Sequence, residues 1–417
     1  MIVIKFISSL LSRFPKVKIL VKNTYQLIGL IVSNKKTNPS DVKQISCFNY
    51  EHLFGYYDKI PWSKDGEKII YQRVYNAHKI VVSCKKSEII LKDILLNEEK
   101  ILSFTSSWNV QQGSMIQWMG PDFNRKVIFN DFREGAYCSV IIDIFTGLEK
   151  IIHSPIYTLG SEGKIALTLD FSRLNTFRPG YGYSNIPDST SKIKVPSGTA
   201  IWSVDIDSDS ITPIISYDQL LKLKYKQTME KSFHKVNHIM INPSSNLFMF
   251  LHRWKYKGVK YDRLIVSDIH GKNLSIVLDE NMVSHCNWLD ERRIIAWANT
   301  MRDGHHYYII DVLTGEKKIF MEEYLKSDGH PSISPNKKFI VTDTYPNFKR
   351  KSKIIICDLM KEECHEIANI YSNFRYLNNS RCDLHPRWNW VTTEICFDGS
   401  QNKKRQVYTM NVEKRVE

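Results

Sequence analysis

The chain contains no run of about 20 uninterrupted apolar residues, the length that crosses a bilayer as a helix. Its apolar start is broken by Lys5 and Arg13, with no small-residue cleavage site after it, which makes a poor secretory leader. Closely spaced cysteine pairs are missing too. The eight cysteines, Cys47, Cys84, Cys138, Cys286, Cys357, Cys364, Cys382 and Cys396, occur singly and never as CxxC. That removes zinc-finger spacing, and it predicts free thiols in strands and a reducing, cytoplasmic location. There is no GxGxxG or Walker phosphate loop and no GxSxG elbow, so dinucleotide, P-loop and α/β-hydrolase chemistry have no foothold. Residues 1–40 hold seven basic residues and no acid, half of the net charge of +14. The remaining charge is spread over a body without a dense basic helix or a stacked aromatic module, which argues against nucleic acid as a partner.

What is present divides the chain in three. Residues 1–36 form a basic amphipathic segment, residues 37–44 a polar linker, and residues 45–417 a β-rich body. Within residues 2–33, apolar and basic residues alternate on either side of Pro15, the pattern of two short helices suited to an anionic membrane surface. The expected location is therefore cytoplasmic, peripheral on the inner membrane.

From residue 45 the pattern is short strands divided by Gly, Asn, Asp and Lys turns. Seven copies of one unit are countable, each marked by a turn such as Pro61-Trp-Ser-Lys-Asp-Gly66, Gln117-Trp-Met-Gly-Pro-Asp122, Ile333-Ser-Pro-Asn336 or Arg387-Trp-Asn389. An outer strand follows that ends in an acidic turn, as in Val140-Ile-Ile-Asp-Ile-Phe-Thr-Gly147 and Tyr308-Ile-Ile-Asp-Val-Leu-Thr-Gly315. The unit resembles the repeat of TolB-type propellers. The resemblance implies an all-β, seven-bladed β-propeller with four strands per blade, closed by pairing of Gln406–Asn411 with the segment near Ile45–Asn49. One interval is too long: 82 residues separate Gly160 from Asn242, and the excess, Phe171 to Asn185, carries Arg178, Tyr181 and Tyr183 among flexible glycines. Such a loop is a candidate platform for sugar rings and an anionic group.

Four histidines occupy one repeat position. His238, His285, His330 and His385 are separated by 47, 45 and 55 residues, and each is followed within five residues by Pro or Trp. Closing the ring would bring them to one mouth of the central channel, where imidazoles either ligate a divalent metal or serve as acid and base. The nearby sequence offers Tyr57, Asp58, Gln111, Gln112, Asn237, Asp328 and Asp383 as further polar groups.

This arrangement resembles the oligogalacturonate lyase family, propellers that hold manganese at the channel mouth and cleave uronate-containing oligosaccharides by β-elimination. The resemblance implies a base at His238, metal ligands at His285, His330 and His385, and carboxylate partners at Arg253, Arg178 and Arg387. Gln112, Tyr57, Asp58, Tyr181 and Tyr183 complete the expected substrate contacts. The chain departs from the family in lacking a close late Gln, His, His cluster. The expectation is a metal-dependent, β-eliminating lyase or surface-polysaccharide processing enzyme acting on an acidic glycan. The alternative is a non-catalytic glycan- or protein-binding propeller in polysaccharide assembly at the inner membrane.

Overall fold

A computed structural model describes residues 15–31, 41–80, 85–280 and 282–416. Seven four-stranded antiparallel sheets follow one another around a ring. Blades 1 to 6 span Glu51–Thr105, Gln117–Ile152, Thr158–Ser216, Phe233–Leu278, Met282–Phe320 and Ser332–Tyr371, each running from inner to outer strand in sequence order. Blade 7 takes three strands from the end of the chain, Arg387–Trp388, Glu394–Gly399 and Gln406–Asn411. Its outermost strand, Val42–Gln44, comes from the beginning.

That closing strand lies inside the stretch predicted to be a linker, a few residues before the predicted segment. Val42 pairs with Met410 and Gln44 with Tyr408, and Ile45 adds one more bond to the Val407 carbonyl. Val42 packs on the core of blades 6 and 7, so one well-placed valine in a polar stretch suffices to seat it. Ring closure removes exposed sheet edges.

Each repeat residue has a physical task. The tryptophans that end the inner strands donate Nε1–H to the blade before: Trp118 to the Pro61 carbonyl at 2.9 Å, Trp288 to Met240 at 2.9 Å and Trp388 to Ser332 at 3.1 Å. Trp390 reaches across the closure to Trp62 at 3.0 Å. The recurring Asp of the outer hairpins accepts from the backbone amides two and three residues on, as Asp143 does from Phe145 and Thr146. Gly147 then takes the left-handed conformation that completes the turn.

Two of the eight cysteines contradict the expectation of free thiols. Cys357 and Cys364 are direct cross-strand partners in the outer hairpin of blade 6 and form a disulfide. The alternation of a short hairpin brings them face to face, and the thiol argument for a reducing compartment loses its premise at that pair. Cys47, Cys138, Cys286, Cys382 and Cys396 are free, and Cys84 lies outside the described residues.

Of the two predicted N-terminal helices, the second is present as Pro15–Ile31; the first lies outside the described residues. Among the described residues no helix is long and apolar enough to cross a membrane. The long interval in blade 3 is filled by the helix Phe171–Phe177, capped by Asp170, and by a loop running to residue 198. Further short helices, Tyr217–Lys222 and Gln227–Glu230, lead into blade 4.

Candidate active site at the channel mouth

The four repeat histidines converge. Ring centroids of His238 and His285 are 5.6 Å apart, those of His285 and His330 4.2 Å, and those of His330 and His385 4.3 Å. Each ring sits where the inner strand of its blade begins or is interrupted. The pairing of blade 4 skips between Asn237 and Met240, and that of blade 5 between Val283 and Cys286. A bulge re-aims a side chain out of the sheet, here toward the axis. His238 and His385 adopt φ of +54° and +45°. Such non-glycine conformations cost on the order of 1–3 kcal/mol each and cluster at functional sites.

Second partners fix the rings. His330 Nδ1 lies 2.7 Å from Asp343 Oδ1, which also accepts the His330 backbone amide at 2.9 Å. The other oxygen of Asp343 accepts the His385 amide at 3.1 Å. His385 Nδ1 donates to the Gly55 carbonyl at 2.8 Å. In its neutral form each ring therefore carries its proton on Nδ1 and a lone pair on Nε2, and both Nε2 atoms are buried without a partner. Asp383 Oδ1 accepts from Arg381 at 2.7 Å while its Oδ2 is likewise buried and unpaired. His330, Asp383 and His385 each offer a ligand atom within 4.8 Å of the others, the one such group among the described residues. Buried lone pairs without donors are costly, and two imidazoles oriented through Nδ1 with a carboxylate form a donor set that fits a divalent cation. Asp383 completes this group where His285 was expected. His285 Nδ1 is engaged by Asp328 at 3.0 Å, and its ring packs on His330 from the side.

Electrostatics separate the four. Burial holds His238 and His385 well below the ordinary imidazole range, with Arg253 adding to the effect on His238 and His330 to that on His385. His285 is lowered by burial against the opposing pull of Asp328. His330 alone is raised: burial opposes its charge, and the Asp343 carboxylate prevails. Tyr56 closes the group, with its Oη 3.0 Å from His238 Nδ1 and its ring 5.0 Å from that of His385. Burial keeps its phenol protonated far above the usual range.

Beside the cluster opens a cavity of about 370 Å³ lined by Phe177, Arg178, Lys235, Arg253, Lys260 and Asp262, among others. Arg253 pairs with Asp262 at 2.9 Å and donates to the Val283 carbonyl, two residues before His285. Arg178 lies over the Tyr181 ring, and Tyr181 meets Tyr56 edge-on at 6.3 Å. Lys235 donates to the Phe177 carbonyl at 2.8 Å; burial and the neighbouring Arg253, Arg178 and Lys260 push its ammonium well down. Cations outnumber carboxylates there, so an anion entering this cavity would relieve their repulsion.

Other predicted contacts lie elsewhere. Arg387 is fully buried, bonded to the Tyr56 and Gly55 carbonyls and paired with Asp398, which also takes Arg405; it braces the wall and does not face a ligand. Tyr183 is a core residue, stacked on Phe171 with centroids 4.4 Å apart and receiving Asn130 at 3.0 Å. Tyr57 hydrogen-bonds both backbone groups of Cys286, and its ring lies 5.4 Å from that of His330. Asp58, paired with Lys59, lines a second cavity at the far ends of the inner strands. Gln112 donates to Tyr157 Oη, which accepts the His238 amide; it positions the His238 backbone and leaves its own Oε1 buried and unpaired. Sequence reasoning passed over Tyr56, Asp343, Lys235 and Lys260. Only Tyr56, next to Tyr57 in an aromatic pair before blade 1, carried a signal that pointed to the mouth.

Fold and site together define a closed seven-bladed propeller with an imidazole and carboxylate cluster at one mouth. No protein-family model matches the chain, and no curated protein matches it. Among solved structures, an oligogalacturonate lyase in complex with manganese is similar, with a TM-score of 0.66 at 13% identity over 90% of this chain and 95% of that one. An oligogalacturonate lyase from Vibrio parahaemolyticus is similar too, with a TM-score of 0.65 at 11% identity over 92% and 97% of the two chains. At these identities the likeness is one of fold.

Proposed function

We propose that the protein is a metal-dependent lyase that cleaves an acidic oligo- or polysaccharide by β-elimination. The observation that carries this reading is the trio of buried, unpaired ligand atoms, His330 Nε2, His385 Nε2 and Asp383 Oδ2; a cavity rich in cations opens at Val283 and Ser284, the residues before His285. The donor set suits manganese or a related divalent ion. When bound, such a cation supplies positive charge to the substrate carboxylate and makes the adjacent C–H more acidic.

The chain's own groups do the rest. Arg178 and Arg253 hold the uronate carboxylate, whose arrival favours the charged forms of Lys235 and Lys260 beside them. His238, kept neutral by burial, takes the proton beside that carboxylate. Tyr56 Oη, 3.0 Å from the His238 Nδ1 and 3.3 Å from its Nε2, holds the ring in place. The electron pair of the broken C–H bond becomes the new C=C bond as the bond to the glycosidic oxygen breaks, and that oxygen leaves with the bonding pair and takes up a proton from the imidazolium or water. The product is an unsaturated uronate, visible by its ultraviolet absorbance. That absorbance should appear with uronic oligosaccharides, disappear on chelation, return with Mn²⁺, and fall at least about 100-fold in rate in His238→Ala. A protein inert on a panel of uronic glycans with metal present would end this reading.

A binding propeller without chemistry is the second reading. It is favoured by the burial of all four histidines, none more than 5% exposed. It requires glycan binding that chelation leaves intact and no turnover.

A further inference from the structure

Among the described side chains of the helix Pro15–Ile31, Gln26 and Gly29 face the propeller. Gln26 is buried and accepts from Arg350 at 3.2 Å, and the Tyr25 ring meets Phe348 at 4.4 Å. Gly29 approaches so closely that a Cβ there would collide with the Phe348 carbonyl and ring. A glycine at the point of closest approach is what tight backbone docking requires. The opposite face, spaced by three and four residues, carries Val17, Leu20, Val21, Leu27, Ile28 and Ile31, all exposed, Leu20 by 66% and Ile31 by 82%. Amphipathic helices on soluble domains bury the apolar stripe; here these six apolar side chains are left bare. A contiguous apolar strip of this kind marks an interaction surface.

Two observations choose the occupant and the orientation. Residues 1–40 carry seven basic residues and no acid, complementary to an anionic lipid surface. The docking loop, residues 344–350, joins the second and third strands of blade 6 and so lies at the end of the ring where the inner strands begin, the histidine end. The same loop holds Tyr345 5.6 Å from the His330 ring, and Arg350 bonds the Ser372, Asn373 and Tyr376 carbonyls of the segment leading to Arg381 and Asp383.

We infer that this helix docks the propeller on an anionic bilayer surface with the histidine mouth turned toward the membrane. If the lyase reading above holds, on which this one consequence rests, the substrate is an acidic glycan presented at the membrane, lipid-linked or newly emerging.

Full-length protein should co-sediment with phosphatidylcholine vesicles containing phosphatidylglycerol at least about tenfold more tightly than with phosphatidylcholine alone. The triple variant Leu20→Glu, Leu27→Glu, Ile28→Glu should lose that binding while keeping its thermal unfolding curve, since all three side chains are exposed. Brominated lipid should quench a tryptophan added at Tyr75→Trp, in the mouth-side loop of blade 1, and spare one at Leu95→Trp, in a hairpin at the opposite end. Absence of vesicle binding, equal binding by the triple variant, or the reverse quenching pattern would overturn the proposal. So would a dimer in solution that the triple variant dissolves, because a second copy would then cover the stripe. Turnover of soluble uronic oligomers is measured separately, so failure of the lyase reading leaves the vesicle result interpretable.

Discussion

The carboxylate of Asp343 stands 2.7 Å from the Nδ1 of His330, both fully buried, and through its other oxygen it also holds the backbone of His385. One side chain at the end of a strand thus orients two ligand candidates from neighbouring blades. Asp343→Asn keeps the shape and removes the charge that raises His330. It should weaken Mn²⁺ affinity by about 10–100-fold, the usual cost of losing a carboxylate behind a ligating imidazole. Calorimetric titration of metal-stripped protein reads this, and unchanged affinity would mean that His330 binds no metal.

Asp383 and His285 make opposite demands on a metal titration. If the ligand group is His330, Asp383 and His385, then Asp383→Asn should cost about tenfold or more in affinity and His285→Gln distinctly less. The reverse order would restore His285 to the place that the histidine repeat alone assigns it.

Arg387 offers a test on stability instead of substrate. Its removal leaves Asp398 with Arg405 as its remaining ion-pair partner in a fully buried site. Arg387→Met should lower unfolding free energy by about 3–5 kcal/mol, the cost of breaking a buried ion pair. Urea denaturation measures it. A stable variant with raised KM would instead make Arg387 a substrate contact.

Acid should destabilise the fold before the carboxylates titrate. Burial pushes His52 and His234 down to about 4, so the folded state resists protons that the unfolded chain takes up from about 6.5. Stability present above the unfolded value is lost as pH falls through that window, on the order of 2 kcal/mol per histidine by pH 5. A urea midpoint unchanged between pH 7 and pH 5 would contradict this.

The propeller was legible because its repeat is written in turn residues and tryptophans whose tasks are local. The four histidines were legible for the same reason, since one position in a closed ring is one place in space. Arg387 and Tyr183 were misplaced because residue type does not tell a buried brace from an exposed contact; that depends on Asp398 and Phe171, reached only through the fold. Asp343 and Lys235 were invisible in sequence because their roles come from pairing across strands, Asp343 with His330 on the neighbouring strand and His385 of the next blade, Lys235 with Phe177 of the blade 3 insertion. The Cys357–Cys364 pair was within reach, as the two residues flank one hairpin turn and strand alternation sets them opposite each other.

The central claim is that the unpaired atoms of His330, His385 and Asp383 hold a metal ion. Elemental analysis of the purified protein tests it most directly, alongside the His330→Ala, His385→Ala double variant. About one divalent cation per chain, lost in the double variant with the fold intact, is the expected result. A metal-free native protein, or equal metal content in the variant, would contradict it.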